Sequence, residues 1–351
     1  MLPISAVDAI TPALEHTKQQ LFKPFRIGQW TKLAFVGLLA GELGGNGCNR
    51  SNFSHPVGAA QGGFPGSLGI DPAMLAAFIT AAVIAGLAIG IILMYIGSVM
   101  RFVLFDSILT KQCHIRWSWS QRLGPGWRYF VWRLVYLFLA LGAIAVFVGI
   151  PAAVAFAHGW FKAPKEHLPA LVLGGILLFL LFFVLAVATA VILVLTKDFV
   201  VPQMALDGVD AMEGWRRLWP MMMAEKSAYV IYIVMKIVLA IVAGIVIGIA
   251  AIIIGVIFAV PTVGLGLLAV FTGKTAGLTW NVYTITLAAV IGCIVLAAFL
   301  YLVSLVSVPA IVFFPAYSMY FFGARYPQLG AALYRAQPTA PSSTSTAPTP
   351  T

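Results

Sequence analysis

Three carboxylates, Asp207, Asp210 and Glu213, stand three residues apart beside Arg216 and Arg217, and they come nearest to a pattern that could hold a cation. A calcium loop needs oxygen ligands in a fixed order around a glycine turn, and that order is absent. The ordinary chemistry of the set is a capped, solvated helix. Asp207 is the expected N-cap, Asp210 answers free N–H groups, and Glu213 precedes the two arginines by three and four residues. Histidine and cysteine offer no better site. Cys48 with His55, and His158 with Glu166 and His167, lack a third ligand at zinc spacing. There is no GxSxG, no HExxH, no P-loop and no pair of aspartates inside an apolar run. No catalytic residue, cofactor site or metal ligand is therefore assigned, and a non-enzymatic protein is expected.

What remains is charge placed in or beside apolar sequence, which is costly in a bilayer and often functional. Lys236 lies about ten residues into the apolar stretch that starts at Ala228, and Arg133 sits at the equivalent depth of an earlier one. Each could snorkel to the interface. Together they could instead line an inward-facing basic vestibule for an anionic ligand. Asp106 and Asp198 stand near the ends of apolar runs in corresponding places. They could face each other across an axis, although capping explains each one separately. Arg216 and Arg217 complete the candidate vestibule set.

The elements that must position these residues are membrane spans. Of 351 residues 61% are hydrophobic and 9% charged, with a mean hydropathy of +0.99, outside the range of soluble globular chains. Charge-free runs cover Pro72 to Met100, Leu134 to Ala157, Leu168 to Thr196, Ile237 to Gly273 and Thr275 to Ala324. Each exceeds the roughly 18 to 20 residues that a spanning helix needs. Thr31 to Gly45 is a shorter sixth candidate, holding Glu42 and a Gly-rich end.

Basic residues give the orientation. With six spans and both termini inside, 17 of the 21 Lys and Arg residues fall on the inner side, as retention of positive charge at the cytoplasmic face requires. A dip and return by Thr31 to Gly45 would put the basic N-terminal segment outside, so that run is counted as a span. The formal charge of +10 lies at span ends, where anionic headgroups are nearer partners than nucleic acid. Cys48, Cys113 and Cys293 fall outside, inside and within a span, so no disulfide network is expected. Neither a cleaved signal nor a lipoprotein cysteine is expected, because the first apolar run starts only after about 30 residues.

The segment 197–220 joins one span to the next. Phe199, Val200 and Val201 continue the apolar run, Pro202 predicts a kink or stop, and a short amphipathic helix with Trp215 and Trp219 follows. An earlier copy is legible. Phe102, Val103 and Leu109 match Phe199, Val200 and Leu206 at an offset of 97, and Tyr129 matches Tyr229 at an offset of 100. The expected fold is an all-α polytopic bundle: six transmembrane helices as three repeated hairpins, each preceded by a cytoplasmic amphipathic elbow helix. Spans fall at about 30–45, 73–100, 130–157, 168–197, 228–259 and 281–308. Elbows take 5–29, 101–128, 199–225 and 310–333, residues 44–70 form an external Gly-rich loop, and 336–351 a disordered Ser/Thr/Pro tail. Gly86 with Gly90 and Gly244 with Gly248 form GxxxG patterns that permit close helix approach. Tryptophans such as Trp117, Trp132 and Trp280 mark the interfaces.

This layout, with Phe199-Val200-Val201-Pro202 and Gly214-Trp215-Arg216 in the elbow, resembles bacterial six-span membrane families of unknown function. It is also similar to the membrane domain found ahead of some glycerophosphodiester phosphodiesterases, whose soluble hydrolase domain this chain lacks. The resemblance implies a module of the bacterial inner membrane that binds or organises lipid or a protein partner, possible homo-oligomers included. The alternative is a small-molecule or lipid transporter, since paired repeats and inward-facing basic residues suit one.

Overall fold

The computed structural model describes residues 5–23, 25–42, 72–159, 168–275 and 282–335. These fold into helices α1 (Ile10–Phe22), α2 (Ile27–Leu39), α3 (Pro72–Leu109), α4 (Ile115–Ile144) and α5 (Ile150–Ala157), the last two joined by a π-helical turn, Ala145–Gly149. Then come α6 (Leu168–Leu195), a second π-helical turn (Thr196–Val200), α7 (Val201–Asp207), α8 (Ala211–Ala224), α9 (Lys226–Thr275), α10 (Val282–Gly323) and α11 (Pro327–Arg335). Among the described residues five segments are long and apolar enough to cross a membrane: Ala76–Leu109, Ile115–Ala157, Leu171–Asp207, Lys226–Gly266 and Thr286–Gly323. No residue in the most apolar stretch of any of them is buried. Helices are the form such sequence must take in hydrocarbon, because each backbone N–H and C=O is then satisfied within its own segment.

The sixth candidate differs. Its helix, α2, has 13 residues, about 20 Å at 1.5 Å per residue, against a hydrocarbon thickness of about 30 Å. Gly41 ends it in the left-handed region at φ 80°. The external loop at 44–70, most of the loop at 158–169, Trp280 and the tail at 336–351 lie outside the described residues.

The core gathers where α3, α7 and α10 end and α9 begins. Phe102, Val103, Phe199, Val200, Tyr232, Tyr317, Phe321 and Phe322 are fully buried there. Tyr232 stacks on Phe321 with centroids 4.6 Å apart and on Tyr317 at 5.2 Å. Helix α1 seals one side with a narrow face, Ala6, Ala9, Ala13, Thr17 and Leu21, at helical spacing. Polar bonds fix its register. The Tyr317 hydroxyl donates to Ala6 O at 3.0 Å, and Gln20 Nε2 donates to Ser107 O at 2.9 Å. His16 is held on both nitrogens, against Ile108 O at 3.0 Å and the Tyr320 hydroxyl at 3.2 Å. Burial, with Lys111 nearby, pushes its pKa down to about 4.

The segment 197–220 departs from expectation in two ways. The helix does not stop at Pro202; it passes through the π turn and Pro202 and runs on to Asp207. The π turn immediately before Pro202 already departs from the regular i→i−4 ladder, and the missing N–H of proline falls where that ladder is interrupted. Gly208, at φ 68°, ends it. Asp207 closes α7 instead of capping α8. The N-cap position belongs to Asp210, in extended backbone and with no side-chain cap bond. Residues 101–128 likewise form the end of α3, a tight turn with Lys111 at φ 57°, and the first half of α4. Helix α10 runs unbroken through Pro309 and Pro315.

Close backbone approach occurs at glycines other than those of the GxxxG patterns. A Cβ on Gly126 would lie 2.6 Å from Val99 Cγ2, and one on Gly214 would lie 2.7 Å from Val200 Cγ1. At Gly86, Gly90 and Gly248 nothing lies within 4 Å.

Candidate charged site and adjoining apolar groove

A chain of buried ion pairs ties four elements together. Glu42, just beyond α2, accepts from Arg101 Nη1 of α3 at 3.4 Å and pairs through Oε2 with Lys197 Nζ of the π turn. Arg101 Nη2 also donates to Ala40 O. The next residue of the turn, Asp198, accepts from the Tyr232 hydroxyl of α9 at 2.9 Å and pairs with Lys236 Nζ one turn further along α9. The side chains of Glu42 and Asp198 are only 6% and 1% exposed. Such burial is tolerable because each carboxylate has cation partners and further hydrogen bonds. Cations nonetheless outnumber carboxylates in the cluster, and Arg101 Nε is buried without a hydrogen-bond partner among the described residues.

Two cavities meet at Glu42. One, of about 30 Å³, lies among Glu42, Arg101, Lys197 and Asp198 and has the size of a water or two. The other, of about 600 Å³, is an apolar groove between α2, α9 and α10. Gly244 and Gly248 of α9 line it, so this GxxxG face borders open space where helix packing was expected. Thr31 Oγ1 and the Tyr301 hydroxyl, 2.9 Å apart, also line it.

Of the residues singled out from sequence, the structure brings Lys236 and Asp198 together. Lys236 is thus ion-paired in the interior, where snorkelling was one expectation. Arg133, on α4, has no ion-pair partner among the described residues but lies within electrostatic reach of Arg101. Asp106 does not share a site with Asp198: Arg122 grips it through Nε at 2.8 Å and Nη2 at 2.7 Å while bonding Ala205 O at 2.7 Å. Arg216 and Arg217 stay on the surface of α8. Arg216 pairs with Glu213 at 2.8 Å, and Arg217 with Glu213 at 3.1 Å and Asp207 at 2.8 Å. Asp207, Asp210 and Glu213 thus hold arginines, Arg128 meeting Asp210 at 3.4 Å. Among the described residues no group of His, Cys, Asp and Glu is placed to hold a metal ion. Cys113 is buried and Cys293 exposed, both free; burial pushes the Cys113 thiol up.

Glu42, Arg101, Lys197 and Tyr232 were not in the vestibule set. The available signal was position: Arg101, Lys197 and Asp198 are the first charges after the second and fourth apolar runs. The partners lie far away in sequence, Glu42 being 155 residues from Lys197.

The aromatic residues at the matched offsets also meet. Phe102 and Tyr129 pack edge to face with centroids 6.0 Å apart and planes at 83°, and Phe199 and Tyr229 do so at 5.4 Å and 84°.

Five long helices with exposed apolar stretches, closed at one end by a buried charge cluster, define a multi-pass membrane protein. The chain belongs to the family described as Family of unknown function (DUF7544), whose model matches residues 4–332. No curated protein and no solved structure matches it. The likeness in layout to phosphodiesterase-associated membrane domains gains no match.

Proposed function

We propose that the protein is a non-enzymatic module of the bacterial inner membrane that binds or organises lipid. The observation that carries this reading is the apolar groove of about 600 Å³ that ends on a buried, cation-rich cluster, in a molecule whose spans present apolar surface throughout. The topology in this reading has six crossings and cytoplasmic termini, supported by the placement of 17 of 21 basic residues. Helix α8 serves as an amphipathic elbow in the headgroup layer: Ala211, Gly214 and Leu218 are buried on one face, while Met212 is 73% exposed. The matching Phe102–Tyr129 and Phe199–Tyr229 pairs support an internal duplication. Anionic headgroups are the partners for the basic inner surface, and the exposed helix faces suit a second copy or another membrane protein.

A transporter is the second reading, favoured by the ionisable groups of the cluster being buried between apolar helices. Native mass spectrometry of protein extracted in mild detergent separates the two. Lipid or a partner retained at defined stoichiometry supports the module. A bare monomer sinks that reading, and uptake by reconstituted liposomes then tests transport.

A further inference from the structure

The groove and the cluster are complementary to the two ends of one kind of molecule. The groove presents Phe35, Leu38 and the glycine face of α9, in the size range of pockets that hold small ligands. Its far end is Glu42, held by Arg101 and Lys197, with Asp198 and Lys236 beyond. Three cations face two carboxylates there, so the buried cluster carries one positive charge in excess, and Arg133 adds to the same field. An excess buried charge away from water is expensive unless a counter-charge meets it. Lys197, with 21% of its side chain exposed against 10% for Arg101 and 13% for Lys236, is the cation most open to one.

We infer that the groove between α2, α9 and α10 seats an acyl chain of one anionic glycerophospholipid from the surrounding leaflet, with its phosphate drawn to the Lys197 end of the cluster. The inference rests on the lipid-binding reading above and names the lipid class and its seat. It commits to a phospholipid because the helices that wall the groove also expose apolar side chains such as Ile241, Ile245, Leu296 and Leu300, and the leaflet supplies acyl chains to such a surface at high local concentration.

Two substitutions address the two ends. Gly248→Leu fills the groove from a position where an added Cβ meets nothing within 4 Å. Lys197→Met balances the cluster at two cations and two carboxylates, and Glu42 keeps Arg101. The full chain in mild detergent is offered phosphatidylglycerol or phosphatidylcholine with identical oleoyl chains, and separately oleate, with retention read by native mass spectrometry. Thermal melting confirms that each variant is folded; Ala251→Leu replaces Gly248→Leu if that variant is not.

The expected result is one phosphatidylglycerol per chain, retained at least about fivefold over phosphatidylcholine. The groove-filling variant loses both lipids, and Lys197→Met loses the preference. Retention of phosphatidylglycerol by the groove-filling variant at the wild-type level overturns the seat while leaving lipid binding intact. An unchanged preference in Lys197→Met overturns the assigned headgroup contact. Retention of oleate without phosphatidylglycerol overturns the phospholipid assignment, and retention of nothing by the wild type removes the lipid-binding reading itself.

Discussion

Lys197 and Asp198 are consecutive in sequence and pair in different directions, Lys197 with Glu42 after α2 and Asp198 with Lys236 and Tyr232 on α9. Two neighbouring residues of opposite sign thereby join α2, α3 and α9 to one turn of backbone. The arrangement makes stability depend on pairs, because removing one member leaves the other buried and charged.

Asp198→Asn strands Lys236 and should lower stability by about 3 to 5 kcal/mol. The double variant Asp198→Asn with Lys236→Met should recover most of that loss. Chemical unfolding in detergent measures both. A double variant no more stable than the single one would show that the pair is not the unit of stabilisation.

Arg122 grips Asp106 with two parallel bonds and Ala205 O with a third. Arg122→Lys keeps the charge but lacks the planar fork, so it should cost roughly 1 to 3 kcal/mol by the same assay. Equal stability of the lysine variant would mean that charge alone holds the joint.

His16 provides a pH test. Its pKa in the folded protein is lowered to about 4 from 6.5, so the unfolded chain binds the proton first. The contribution to stability is complete above about 6.5 and declines as pH falls through the window down to about 4. The protection factor of α1 against hydrogen exchange, taken relative to the intrinsic rate at each pH, should therefore fall as pH drops across that window, and His16→Asn should flatten the dependence. An α1 whose protection is level between those limits would contradict the assignment.

Gly214→Ala should destabilise by about 1 to 3 kcal/mol, since its Cβ would stand 2.7 Å from Val200 Cγ1, and Val200→Ala should relieve most of the cost. Gly86→Ala meets nothing within 4 Å and should be neutral or slightly stabilising. Thermal shifts of the same sign and size at both sites would refute the distinction.

The long helices were legible because length and absence of charge suffice to mark a spanning run, and the observed five sit on the five strong runs. What the runs could not reveal was continuity. Pro202 reads as a break, yet the π turn before it carries the helix on to Asp207. Helix α2 was read as a full crossing from charge bookkeeping, and its 13 residues with Gly41 at the end give a shorter element. At the site, Lys236 stood out by its depth in an apolar run. Its partner did not, because Asp198 lies 38 residues earlier and a carboxylate there is equally well explained as a cap. Glu42 counted against a span on hydropathy alone; only the fold shows it meeting two cations. Arg216 and Arg217 drew notice as paired cations, and the local spacing to Glu213 was the stronger guide to where they lie.

The π turn at Thr196–Val200 also sets an angular register. One residue added to a helix advances everything after it by about 100° around the axis. Val201, Pro202, Gln203, Met204 and Ala205, the first five residues after the turn, are all buried, whereas most of α6 before it is exposed. This wide turn thus marks where a helix facing hydrocarbon becomes one enclosed by the rest of the molecule.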